Sequence, residues 1–251
     1  MGKERMMVLI TQDIDIIDLA LHLKEHQTLI FSDFHIGYEE MLNKQGILLP
    51  RFQWDDIVKR LELTFSRIKK NIKTIVINGD LKHEFGSISS QEWREILKLF
   101  DYFSTKAEDV IIVKGNHDVM LEPIARKRNI HLVEDHRVGN ILIMHGDEIA
   151  GKEKLEGIET LIIGHDHPAI GIREHRRTET VKCFLKGKWK RRTIIAQPSF
   201  NPLIEGSDIF KEKMLSPYLQ QLLNGFEVWI IPQPGEVLYF GKVQDSKKEE
   251  G

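Results

Sequence analysis

The chain has 251 residues, enough for one large domain or two small ones. Its 36 Lys and Arg nearly cancel 38 Asp and Glu, so no global charge draws it to nucleic acid or to a membrane, and any such pull must be local. The one cysteine, Cys183, excludes an internal disulfide and fits a reducing compartment. No apolar run approaches the roughly 20 residues of a membrane helix. Asp13, Asp15 and Asp18 interrupt the apolar stretch that a signal peptide beginning at Lys3 and Arg5 would need, so a cytoplasmic protein is expected.

Met6 to Ile10 reads as a first strand, and Ile14 to Leu23 as either a short helix or an edge hairpin. Thr28 to Ser32 is a clear apolar strand that runs into Asp33-Phe34-His35. Tyr38 to Lys44 and Phe52 to Ile68 read as helices, the second with Ile57, Leu61, Phe65 and Ile68 at helical spacing. Lys73 to Asn78 is a strand ending in Gly79-Asp80 and followed by His83. Ser89 to Glu92 has the pattern of a capping box opening a helix. Asp109 to Val113 is a strand that leads into Gly115-Asn116-His117-Asp118. After a helical Pro123 to Arg128 and a short strand at Ile130 to Val133, Gly139-Asn140 marks a hairpin turn. Two more strands end in His145 and in Gly164-His165-Asp166-His167-Pro168.

Five apolar runs therefore each end in Asp, Asn or His. A single Asp-x-His or Asn-His-Asp in a turn is more often structural. Five in succession point to ligands gathered at the C-terminal ends of strands, where open α/β sheets bind. Residues two apart, such as Asp33 with His35 and His165 with His167, would face one way in extended chain. Carboxylates and imidazoles without cysteine suit a transition-metal site. His117 can move a proton near neutral pH, and Asp118 could orient it.

From Arg173 to Arg192 the chain turns basic, with Arg173, Arg176, Arg177, Lys182, Lys186, Lys188, Lys190, Arg191 and Arg192 against Glu174 and Glu179. Phe184 and Trp189 are interleaved, and Lys186-Gly187-Lys188 reads as a hairpin tip. Such a hairpin is either a solvated edge or a nucleic-acid contact surface. A terminal hairpin is expected around Pro232 to Gly235, and a charged disordered tail over residues 245–251. His22, His26, His131, His136 and His175 read as surface or capping residues. One domain over residues 1–244 is expected.

Asp33-x-His35, Gly79-Asp80, Gly115-Asn116-His117-Asp118, His145 and Gly164-His165-x-His167, in this order, resemble the calcineurin-like metallophosphoesterases. The resemblance implies an α/β sandwich of two mixed sheets face to face, flanked by helices in four layers. It implies two adjacent metals, one on Asp33, His35, Asp80 and His167 and one on Asp80, Asn116, His145 and His165, with Asp80 as the bridge. Manganese is the expected ion, with iron, zinc and nickel as alternatives. His117 would protonate the leaving oxygen, with Asp118 behind it, while metal-activated water attacks phosphorus. The stretch Gly79-Asp80-Leu81-Lys82-His83 is similar to SbcD-type nucleases, in which the histidine matching His83 engages the substrate backbone. Gln197 to Leu203 is similar to small archaeal SbcD-related and Lhr-helicase-associated phosphoesterases. These relatives imply a DNA endonuclease on single-stranded or flexible DNA, a functional link to an Lhr-type helicase, and room for a homo-oligomer. The alternative is a small-molecule phosphoesterase using the same centre.

Overall fold

The computed structural model describes residues 7–86, 88–174 and 177–244. In the first sheet, β1 (Val8–Leu9), β2 (Ile14–Ile17), β3 (Ala20–Leu23) and β4 (Thr28–Ser32) run antiparallel. The sheet continues in parallel through β5 (Thr74–Asn78), β6 (Asp109–Val113) and β7 (His131–Val133). The ambiguous stretch at 14–23 is thus a hairpin. Asp18 makes its turn in left-handed backbone, held by two bonds from Arg60 at 2.6 and 3.0 Å and one from the Gly235 amide at 2.8 Å. His22 is buried in that hairpin rather than on the surface.

Parallel strands need crossovers, and helices supply them here: α1 (Tyr38–Lys44) and α2 (Gln53–Ser66) before β5, α3 (Ser90–Ser104) before β6, and α4 (Glu122–Arg126) before β7. The capping box at the start of α3 is complete, with Ser89 Oγ accepting from the Glu92 amide and Glu92 returning the bond to the Ser89 amide. Ile57 and Leu61 of α2 pack with Ile96, Leu99, Phe100 and Phe103 of α3 in the core that includes the first sheet.

The second sheet contains β8 (Asp135–Val138), β9 (Ile141–Met144), β10 (Thr160–Ile163), β11 (Pro168–Glu174), β12 (Arg177–Trp189), β13 (Arg192–Ala196), β14 (Ser207–Asp208), β15 (Glu227–Ile230) and β16 (Leu238–Lys242). Alternation sorts its side chains. Ile143, Ile162, Phe184 and Ile195 join the core shared with the first sheet. Their neighbours Leu142, Leu161, Leu185 and Ile194 face a second core with Leu155, Ile158, Tyr218 and Leu219. The two mixed sheets therefore lie face to face, as expected. Among the described residues the four helices all belong to the first half of the chain, and irregular segments around 150–158 and 209–219 cover the outer face of the second sheet.

The basic stretch is built differently from the expectation. β12 runs straight through Lys186-Gly187-Lys188, and the chain turns at Lys190-Arg191 instead. Gly187 sits under the Phe226 ring, where a Cβ would come within 2.4 Å. Phe184 and Trp189 are buried in the cores and cannot meet a nucleobase. Lys186 pairs with Glu227 at 2.5 Å, and Arg192 bonds the Leu155 and Ile158 carbonyls. Of its cations, only Lys188, Lys190, Arg191 and Arg173 are exposed among the described side chains. His175, Arg176, Lys3, Arg5 and the 245–251 tail lie outside the described residues. No helix is long and apolar enough to cross a membrane among them.

Candidate metal centre

Strand register brings the five polar turns to one level. Ser32, Asn78 and Val113 are cross-strand partners at the ends of β4, β5 and β6, as Met144 and Ile163 are at the ends of β9 and β10. Glycines let these turns approach. A Cβ on Gly79 would come within 1.9 Å of His145 Nδ1, one on Gly115 within 2.1 Å of Asp80 Oδ1, and one on Gly164 within 2.4 Å of Asp33 Oδ2. Gly115 is thus required by the proximity of Asp80, not by the shape of its own turn.

Five candidate ligands hold backbone that L-residues seldom adopt: Asp33 (φ 51°), His35 (φ 43°), Asp80 (φ 27°), His165 (φ 68°) and His167 (φ 46°). Each costs about 1–3 kcal/mol, which the surrounding packing must offset. This corrects the reading of Asp33-x-His35 and His165-x-His167 as extended chain. Asp33 and His35 do meet, but His165 and His167 join different groups.

In the first group, His35 Nε2 stands 3.3 Å from His167 Nε2, and Asp33 Oδ2 3.6 Å from His167 Nε2. In the second, His145 Nε2 stands 2.9 Å from Asn116 Oδ1, 3.1 Å from His165 Nδ1 and 3.5 Å from Asp80 Oδ2. Asp80 Oδ2 also lies 3.7 Å from His35 Nε2, so one carboxylate oxygen faces both groups. Either group could hold a metal ion: one donor atom from each of Asp33, His35 and His167, or from each of Asp80, His145 and His165, falls within 4.8 Å of the others.

The donor atoms fit cations rather than one another. Asp33 Oδ1 lies 3.5 Å from His145 Nδ1, and both are buried without a hydrogen bond. A proton on that nitrogen leaves Nε2 with a lone pair. The lone pair then confronts Asn116 Oδ1, which has no hydrogen to share, an arrangement that a positive ion relieves. Burial, together with the charges of Asp33 and Asp118, pushes the Asp80 carboxyl up to about 9. Burial also pulls the His145 imidazole down to about 4, which keeps it neutral as a ligand must be.

His117 stands beside this centre with Nε2 3.8 Å from Asp80 Oδ2 and its backbone amide donating to Asp80 Oδ1 at 3.0 Å. Its Nδ1 bonds the His83 carbonyl. Asp118 does not orient it: that buried carboxylate accepts from the Gly115, Leu81 and Lys82 amides at 3.0–3.2 Å, which ties the β5 and β6 turns together. The orienting group is instead a backbone carbonyl two residues past Leu81. His83 faces the centre, with Nδ1 3.4 Å from His35 Nδ1 and its ring nearly parallel to that of His117.

The sequence assigns several supports no role, although Ser199 and Asn201 fall in the Gln197–Leu203 stretch singled out by resemblance. The His35 carbonyl receives Gln53 at 3.0 Å and Asn201 at 3.1 Å, and the Asp33 carbonyl receives Ser199 Oγ at 2.7 Å. Lys182 is turned inward onto the Ser199 and Asn201 carbonyls, and burial pulls its amine well below the ordinary lysine range. Glu92 receives the Glu84 amide at 3.2 Å and so anchors the turn that carries His83. Beside Asn116 and His145 opens a groove of about 620 Å³ lined by Glu122, Glu134, Asp135, Asp147 and Glu148.

Residues 26–222 match the family described as calcineurin-like phosphoesterase. No curated protein sequence matches the chain. Among solved structures, the Pseudomonas putida nuclease MPE is similar at 15% identity, with a TM-score of 0.63, covering 87% of this chain and 92% of that one. A protein of unknown function from Aquifex aeolicus is 21% identical over 56% of this chain and 78% of its own, with a TM-score of 0.36. A Vps29 single mutant from Entamoeba histolytica is 16% identical over 85% of this chain and 99% of its own, also at 0.36.

Proposed function

Because this chain belongs to the calcineurin-like phosphoesterase family of metal-dependent hydrolases, we propose that it is a two-metal phosphodiesterase that cleaves DNA internally. The observation that carries the two-metal reading is Asp80 Oδ2, which faces His35 at 3.7 Å and His145 at 3.5 Å. Asp33, His35, Asp80 and His167 would hold the first ion, and Asp80, Asn116, His145 and His165 the second. Such a pair supplies Lewis acidity toward phosphate oxygens and lowers the pKa of water at the site. The chain's own contribution is a proton. His117, held at Nδ1 by the His83 carbonyl, presents Nε2 to the leaving oxygen. An imidazolium bonded to a carbonyl donates from both nitrogens, so the same contact supports the charged form.

His83 fits a phosphodiester substrate, since it places a further imidazole beside His35 and His117, where it would meet a phosphate or its ester oxygen. The small SbcD-related and Lhr-associated branch, with manganese as the working ion, fits this reading, as does a fold shared with a nuclease. The basic strand β12 and the start of β13 contribute less than their composition suggests, because Lys182, Lys186 and Arg192 serve the fold. One observation favours the second reading, a small-molecule diesterase: the acidic groove beside Asn116 and His145 repels a long polyanion.

Single-stranded circular DNA separates the two, since a circle has no end to digest. Linearisation is expected with Mn²⁺, none with EDTA, and a loss of about 10²–10⁴-fold in His117→Ala. Intact circles alongside rapid hydrolysis of a generic aryl diester would move the substrate to small diesters.

A further inference from the structure

Phe85 is half exposed at 56%, yet its ring centroid lies 3.6 Å from that of His117 at a tilt of 33°. Single exposed apolar side chains are ordinary. This one covers the proton donor of the reaction and leaves its remaining surface to solvent. The residues before it are anchored: the preceding amide, Glu84, bonds Glu92 of the α3 capping box, and His83 carries both a ring contact and a carbonyl bond to His117.

We propose that Phe85 is the platform on which the nucleobase of the departing nucleotide stacks. The inference rests on the reading of His117 as proton donor to a nucleotide leaving group. An oxygen within reach of His117 Nε2 belongs to a sugar whose base extends only a few ångströms further, and Phe85 is the aromatic surface in contact with that donor. The flank beside Asn116 and His145 is unsuited to nucleotide. Glu122, Glu134, Asp135, Asp147 and Glu148 line it, and its lysines are committed, Lys114 to Glu134 at 2.8 Å and Lys154 to Asp135 at 2.5 Å. A leaving strand is therefore repelled from that flank and held by stacking at Phe85. Stacking on one aromatic ring tolerates any base and requires the base to be unpaired, so this residue also favours single strands over duplex.

The test uses three dinucleoside monophosphates: one with both bases, and two in which one residue or the other is abasic. The products identify which residue departs. In the wild-type protein, removing the departing base is expected to raise KM about tenfold with kcat little changed, the range of one base–aromatic stack. Removing the retained base should have less effect. Phe85→Ala should erase the difference between the base-bearing and abasic departing residues, and Phe85→Trp should restore it. Equal handling of base-bearing and abasic departing residues by the wild type would overturn the proposal. So would an equal loss on all three substrates in Phe85→Ala, which would make Phe85 a shield over His117 and nothing more. If neither a dinucleotide nor a single-stranded circle is cleaved while an aryl diester is, the nucleic-acid reading itself falls, and this one with it.

Discussion

At the scale of single residues, the site is a set of close approaches that tolerate no extra atom. Asp80 can face both ligand groups because Gly79 and Gly115 let β5, β6 and β9 crowd together. A methyl at Gly115 would meet Asp80 Oδ1 at 2.1 Å and the Asp80 amide at 2.2 Å, and neither is a flexible chain end. Gly115→Ala is therefore expected to keep the fold, as judged by circular dichroism, and to lose about 10²-fold or more in diester hydrolysis, the scale of an ångström's misplacement. Near-wild-type activity would mean that Asp80 need not sit where it does. The residue types of the site were legible in the sequence because carboxylates, imidazoles and glycines at strand ends have few other uses in such numbers. The role of Asp118 was not. Its pattern beside His117 suggested a dyad, whereas three unpaired amides in the adjoining turns compete for the same carboxylate and win it.

At the scale of elements, strand ends Ser32, Asn78, Val113, Met144 and Ile163 fell where apolar runs met polar turns, and the α3 cap fell on its Ser-x-x-Glu pattern. Lys182 shows why the remainder was hidden. A lysine on a strand reads as solvent-facing, but this one turns inward to bond the Ser199 and Asn201 carbonyls, contacts set by tertiary packing. The Gln197–Leu203 segment that it braces is the strap between the sheets. Gln197 bonds the Leu19 and Ile30 carbonyls, the Phe200 amide bonds Ser32, and Asn201 holds the left-handed His35. Asn201→Ala removes that hold, leaving Gln53 alone on the His35 carbonyl and the Leu203 amide without its acceptor, at a cost of about 1 kcal/mol. A fall of several degrees in melting temperature and a loss of about tenfold in activity are expected. A stability loss with unchanged kcat would show that the strap supports the fold but does not position His35.

At the scale of the whole molecule, each candidate ion site is divided between the sheets. The first sheet supplies Asp33, His35, Asp80 and Asn116, and the second His145, His165 and His167. Face-to-face packing of Ile143, Ile162 and Ile195 on the first sheet is what brings the halves together. Ions bound there would stabilise the docked sheets by mass action. The most direct test of the two-ion account is electron paramagnetic resonance of the protein titrated with Mn²⁺. Two ions per chain with an exchange-coupled signal are expected in the wild type, and loss of the coupled signal in Asp80→Ala. A single uncoupled ion per chain at saturation, or a coupled pair that survives Asp80→Ala, would contradict the account.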